Sequence, residues 1–164
     1  MNRIILSLVV TLLITVNVSA QERWPTGKVK KAFHNQYENA EIIKWEYETS
    51  KNRVTLWKAL FKRDDVLSSA WYDEKANWIQ TKTKISEDEL PEAVLKSIEE
   101  NYYRYKIVLT ARFQNPETDG FEVFLDNEDV GFNVQFSKEG EILSRTIRSE
   151  GYAPINDDGE ELEE

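Results

Sequence analysis

Apolar residues step by four over 29–37, with Val29, Phe33 and Tyr37 on one face. That spacing predicts an amphipathic helix, and Pro25 and Thr26 ahead of it are start signals. Leu90, Val94, Ile98 and Tyr102 make a second stripe of the same period, with Lys96, Glu99 and Glu100 off it. Pro91 suits the first turn of that helix, where its missing N–H would be unpaired anyway. After each helix the period falls to two. Ile43, Trp45 and Tyr47 alternate with Lys44, Glu46 and Glu48, the pattern of a half-buried antiparallel strand. Further strands are expected at 53–62, 66–72 and 78–84, with a tight turn from Asp73 to Asn77. Beyond the second helix, strands are expected at 106–113, 120–126, 130–136 and 141–148. The turn-forming run Asn115-Pro116-Glu117-Thr118-Asp119-Gly120 closes the first hairpin of that half.

The two halves share one order of apolar positions. Val29, Phe33 and Tyr37 recur at a spacing of 65 as Val94, Ile98 and Tyr102. Trp57–Phe61 is answered at 64 by Phe121–Leu125, and Tyr72–Ile79 by Phe136–Leu143. Such self-similarity implies one structural unit used twice. The expected fold is α+β: two tandem helix-plus-antiparallel-strand repeats, about 25–85 and 86–148, forming a continuous sheet with helices on one face.

The strings Tyr37-Glu38-Asn39-Ala40, Lys44-Trp45-Glu46, Trp71-Tyr72-Asp73 with Asn77-Trp78 after the turn, and Leu90-Pro91-Glu92-Ala93-Val94 resemble the PepSY-like, β-lactamase-inhibitor-like periplasmic proteins. The resemblance covers about 25–148. It implies two α/β repeats with joined sheets, helices behind and an open, slightly concave sheet face in front. In the inhibitor relatives that face grips a partner protein. One position departs from the family. The first turn usually has Gly where this chain has Ala76, whereas Gly140 keeps it in the second. Ala is poor at positive φ, so either Asn77 takes that conformation or the turn type differs.

The first twenty residues change the picture of where the chain resides. Arg3 precedes an apolar run from Ile4 to Val18, and Val18-Ser19-Ala20 ends it. This reads as a signal peptide, 1–20, cleaved to leave Gln21 at the mature terminus. The run is short for the alternative, an uncleaved anchor, and Gln rather than Cys at 21 closes the lipoprotein route. A periplasmic or secreted protein is expected, with no membrane attachment after cleavage. The mature chain is one domain in size. It contains no Cys, which removes thiol nucleophiles and thiolate metal sites. The net charge of −9, with no basic stripe, argues against nucleic-acid binding and adhesion to anionic lipid. The run from Asp157 to Glu164 reads as part of an acidic, solvated tail, 149–164. The competing reading is an acidic docking tail.

Candidate chemistry is sparse. His34 is the one histidine, beside Phe33 on a polar helix, so a surface position is expected. No cofactor is expected: haem would have only His34 or a Tyr as axial ligand, and no glycine-rich phosphate cradle exists. No metal site is expected. Asp126-Asn127-Glu128-Asp129 is acidic but lacks the EF-hand spacing. It reads as a hairpin turn, as does Asp64-Asp65 at the matching place. Abundant carboxylates leave a paired-carboxylate hydrolase open.

The more informative signal lies on the strands. If Trp57, Ala59 and Phe61 face the helices, then Val54, Leu56, Lys58 and Leu60 face away, and on the next strand Leu67, Ser69 and Trp71 do so. The second-half counterparts are Glu122, Phe124 and Asp126, then Gly131, Asn133 and Gln135. An apolar, Trp-bearing outer face in the first half marks a contact site. The candidate binding residues are Leu56, Lys58, Leu60, Leu67, Ser69 and Trp71. A twisted sheet or the tail covering the patch, or a homodimer seam, are the other readings. The function expected is a non-catalytic exported binding protein with a protein partner, an inhibitor of a secreted or envelope enzyme. Its rivals are a carrier of a small apolar ligand, which needs a deep pocket, and a carboxylate hydrolase, which needs two convergent carboxylates.

Overall fold

The computed structural model describes residues 24–49 and 54–147. The expected signal peptide and the acidic tail lie outside the described residues. The order is helix α1 (Gly27–Gln36), strands β1 (Glu41–Thr49), β2 (Thr55–Arg63), β3 (Val66–Asp73) and β4 (Trp78–Ile85), helix α2 (Glu92–Tyr102), then β5 (Lys106–Gln114), β6 (Asp119–Asp126), β7 (Gly131–Phe136) and β8 (Ile142–Ile147). A short 3-10 turn, Glu87–Glu89, leads into α2. Thr26 caps α1 by accepting from the Val29 N–H at 3.4 Å. Pro91 is the N-cap of α2 rather than a residue of its first turn, and its carbonyl accepts from the Val94 and Leu95 N–H groups.

The eight strands form one antiparallel sheet in sequence order. The fold is α+β, with sheet predominating. Cross-strand pairing carries a single row through Phe61, Ser68, Thr83, Arg112, Phe121 and Phe136. Directly paired residues point to one side, so Phe61 and Phe136 share a face. That face holds both cores. Val29, Phe33 and Tyr37 of α1 pack on Trp57, Ala59, Phe61, Ala70 and Tyr72. Leu90 and the α2 residues Val94, Ile98 and Tyr102 pack on Phe121, Val123, Leu125, Val134 and Phe136. Both helices therefore lie on one face, each stripe as its period of four requires. Fully burying each such side chain contributes about 1.5–3 kcal/mol.

Strict alternation fails at four places. Extra residues stand at Ile43 in β1, Ile79 in β4, Val108 in β5 and Leu143 in β8, each opposite a step where the partner strand has none. These are β-bulges, which bend a strand and increase its twist. The first overturns one expectation: Ile42, Trp45 and Tyr47 pack on the first core, while Ile43 is exposed. The extra residue flips the strand's parity between Ile42 and Lys44.

The turn from Asp73 to Asn77 also differs from expectation. Ala76 itself adopts φ 70°, and Asn77 does not take the left-handed conformation. The loop compensates through Asp73, whose carboxylate accepts from the Lys75 and Asn77 N–H groups and the Asn77 side chain at 2.8–2.9 Å. In the second half Ser137 Oγ accepts from the Glu139 and Glu141 N–H groups, and Gly140 takes φ 84°. A Cβ on Gly140 would stand 2.3 Å from the Ala93 carbonyl oxygen on α2. Gly is thus required there on two counts, whereas the Ala76 methyl packs on the first core.

Candidate functional site

Pairing of β2 with β3 sets Leu56 opposite Asp73, Lys58 opposite Trp71, Leu60 opposite Ser69 and Lys62 opposite Leu67. All six candidate residues therefore lie together on the face away from the helices, as alternation requires. Their exposure is where the expectation fails. Leu60 is 1%, Trp71 8% and Leu67 9% exposed, and Leu56, Lys58 and Ser69 are half-buried. The open face of the first half is not a bare apolar patch.

Polar side chains cover Trp71. Its indole Nε1 donates to Glu48 Oε2 at 2.9 Å. Lys58 and Lys82, one from each neighbouring strand, place Nζ 5.6 Å and 5.5 Å from the ring centroid, within cation–π range. Lysine stems lie along apolar surface with the charge kept outward, which accounts for the small exposure of the ring. Each lysine is itself held. Lys58 pairs with Glu46 at 2.7 Å and Glu48 at 3.6 Å. Lys82 reaches Glu122 at 2.6 Å.

The chain of contacts continues across the sheet. Glu122 also accepts from Gln135 Nε2 at 2.9 Å, and Gln135 Oε1 accepts from Ser144 at 3.0 Å. Lys82 crosses β5 to reach β6, and the space it crosses faces Ala111, which stands opposite Glu122. Beside this line the second half carries buried Phe113 and Phe124, 1% and 2% exposed, so its open face is less polar than its counterpart positions suggested. Phe113 lies against Gly120, where a Cβ would come within 2.9 Å of its ring and 2.2 Å of the Phe136 carbonyl oxygen.

Burial pushes the Glu46 carboxyl up, but hydrogen bonds and charge from Lys58 and Lys44 outweigh it and leave the group below the ordinary carboxylate value. A general acid at neutral pH needs the opposite shift. On the helix side, Tyr37 bonds to Thr81, which also accepts from Trp78 Nε1, and Tyr72 donates to Gln36 at 2.9 Å. Burial raises both phenols, so these are neutral, structural groups.

The remaining candidates fall outside this face. His34 is exposed, edge-on to Phe33. Asp126–Asp129 is a turn organised by its own side chains: Asn127 accepts from the Asp129 and Val130 N–H groups, and Asp126 from that of Glu128. Asp64 and Asp65 both take positive φ, as a two-residue hairpin turn demands. Among the described residues no three His, Cys, Asp or Glu side chains are grouped to hold a metal ion, and no helix is long and apolar enough to cross a membrane.

Alternation put Glu122 and Gln135 on the outer face without their contacts, and it left Glu46, Glu48, Lys82 and Ser144 out of the site. Glu46 and Glu48 were within reach, because they alternate with Trp45 and Tyr47. The meeting of Lys82 with Glu122 was not, because it depends on the register of β4 against β5.

Solved structures from Bacteroides share this fold, three of them as follows. A BLIP-like protein from Bacteroides fragilis is 24% identical, with 80% of this chain and 92% of that one covered and a TM-score of 0.66. A DUF2874 family protein from Bacteroides uniformis is 22% identical, covering 79% and 94%, with a TM-score of 0.69. A protein from Bacteroides eggerthii, described as a "putative periplasmic" protein, is 18% identical, covering 76% and 90%, with a TM-score of 0.64. No curated protein matches. The family model described as "Putative beta-lactamase-inhibitor-like, PepSY-like" matches residues 53–144, from the start of β2 into β8. The chain belongs to this PepSY-like, β-lactamase-inhibitor-like family.

Proposed function

We propose that this chain is a non-catalytic exported binding protein that grips a protein partner, a secreted or envelope enzyme, through its open sheet face, and thereby inhibits it. In this reading residues 1–20 are removed and the periplasmic chain starts at Gln21. The fold is one helix-plus-four-strand unit used twice. The bulges support that repeat: Ile43 and Val108 stand 65 apart, and Ile79 and Leu143 stand 64 apart, the same spacings as the repeated apolar pattern.

The observation that carries the functional reading is the Lys58–Trp71–Lys82 stack. It lies on the face that neither helix packs against, and carboxylates on β1 and β6 hold it in place. A partner meeting this face finds oriented charges with an aromatic plate beneath them. Oriented charge gives specificity, and a Trp in such a setting is a frequent anchor. The family's inhibitor-like description points the same way. The lowered Glu46 carboxyl weighs against acid catalysis on this face. Capture of partners from envelope extract by the mature chain, with open-face and helix-side variants compared, tests the reading.

A further inference from the structure

The sheet has two outer edges, β1 and β8, and among the described residues neither has a strand on its outer side. The β8 edge is weakly guarded. Ile142, Leu143 and Ile147 are exposed, Ile147 by 71%. The one charge in the strand, Arg145, is turned onto the Phe132 ring, 5.2 Å from its centroid. An edge with apolar residues and little charge is a template for another strand.

The chain itself contains a strand suited to that edge. In the two-unit reading β4 is the last strand of the first unit and β5 the first strand of the second, and their pairing joins the units edge to edge. β8 and β1 are the same two strands at the free ends. The bulges fix the equivalence: Leu143 answers Ile79 at a spacing of 64, and Val108 answers Ile43 at 65. Carried over with these offsets, the β4–β5 register sets Arg145 opposite Thr49, Thr146 opposite Glu48 and Ile147 opposite Tyr47. Side-chain directions agree with it. Pairing with β7 puts Arg145 and Ile147 on the helix side, and pairing with β2 puts Tyr47 and Thr49 there too. No like charges are set opposite each other. The polar pair Thr83 and Arg112 of the internal seam has Ile147 and Tyr47 as its counterparts at the free ends, and a β-branched residue opposite an aromatic one favours pairing.

We propose that β8 of one copy pairs antiparallel with β1 of a second copy, repeating the β4–β5 seam between molecules. Within one molecule the two edges are seven strand spacings apart, about 33 Å along the sheet, so the β1 that meets β8 belongs to another chain. Each addition leaves a new β8 edge, and the association is head-to-tail and open-ended. The sheet then runs on through successive copies, with their helices on one side and their open faces on the other. The proposal rests on the two-unit reading and is independent of any other partner.

The chain has no cysteine, so Thr49→Cys and Arg145→Cys each give it a single thiol at an exposed position. Directly opposed strand residues are close enough for a disulfide. The two variants of the mature chain are mixed under mild oxidation. The expected result is a disulfide-linked dimer in several-fold higher yield than from either variant alone, or from Arg145→Cys mixed with Lys96→Cys, whose thiol is on α2. Adding Ile147→Lys to Arg145→Cys should remove the excess, and the exposure of Ile147 keeps that change from unfolding the chain. The unaltered chain should sediment faster as its concentration rises, and Ile147→Lys should not. Equal yields from all mixtures, or a chain that sediments as a monomer at every concentration, would overturn the proposal. A dimer formed best by Arg145→Cys alone would also overturn it, because two β8 edges would then meet each other. None of these results touches the bulge spacings that carry the two-unit reading, or the open face.

Discussion

Lys58 and Trp71 stand opposite each other on β2 and β3, and the lysine lies over the indole with Nζ 5.6 Å from the ring centroid. Trp71 is therefore buried on the face that neither helix packs against. Truncation should be costly there although the residue is not part of either helix-backed core. Trp71→Ala is expected to lose about 3 kcal/mol, the lower end of the range for a buried aromatic, because the covering lysines can resettle. Trp71→Phe keeps an aromatic ring under the lysines but loses the indole's second ring and its bond to Glu48, at about 1–2 kcal/mol. Urea titration of both variants checks the order. A loss below 1 kcal/mol for Trp71→Ala would mean the lysines do not cover the ring.

Lys82–Glu122 and Lys96–Glu100 are both ion pairs, but they differ in setting. Glu122 is 8% exposed and also holds Gln135, whereas Lys96 and Glu100 are an exposed pair one turn apart at 3.8 Å. A double-mutant cycle on the first pair should give a coupling of about 2 kcal/mol, and the second about 0.3–0.5 kcal/mol. Equal couplings would contradict the continuous network proposed across the sheet.

The two equivalent turns should respond unequally. Gly140→Ala forces a methyl against the Ala93 carbonyl at φ 84° and is expected to cost about 3 kcal/mol. Ala76→Gly relieves a φ of 70° but loses a packed methyl and gains chain entropy when unfolded. These terms nearly cancel, so a change within about 0.5 kcal/mol is expected. Thermal midpoints of the two variants test this.

Acid and alkali act on different faces. Glu46 is lowered in the folded chain, so its contribution is present above the ordinary value of 4.5 and is lost as pH falls through the folded value. Tyr37 and Tyr72 are raised, so stability is full below pH 10 and falls above it as the unfolded phenols ionise. In urea titrations across pH, Glu46→Gln should make the acid limb shallower, with Asp73 and Glu89, also lowered by their hydrogen bonds, keeping part of it, and should leave the alkaline limb alone.

Much of the fold was legible in the sequence. The period-four stripes of Val29, Phe33, Tyr37 and of Val94, Ile98, Tyr102 are the helix faces that pack. Alternation around Trp57 and Phe61 gave the correct sides of β2 and β3. The bulges were not legible, because each falls at two adjacent apolar residues: Ile42-Ile43, Trp78-Ile79, Ile107-Val108 and Ile142-Leu143. Alternation cannot say which of such a pair turns inward. The polar covering of Trp71 was hidden for another reason. Lys82 and Glu122 lie 40 residues apart, and the register that joins them is set across the β4–β5 seam, with α2 between the two strands in the chain.

The central claim, that the open face is the partner-binding surface, is tested most directly by capture from envelope extract with three baits: the mature chain, Ser69→Arg and Lys96→Glu. Ser69 is half-buried beside Leu60 on the open face, and Lys96 is exposed on α2. Thermal midpoints first establish that all three are folded. The account predicts one protein retained by the mature chain and by Lys96→Glu and lost by Ser69→Arg. Equal retention by all three, or loss only with Lys96→Glu, would contradict it.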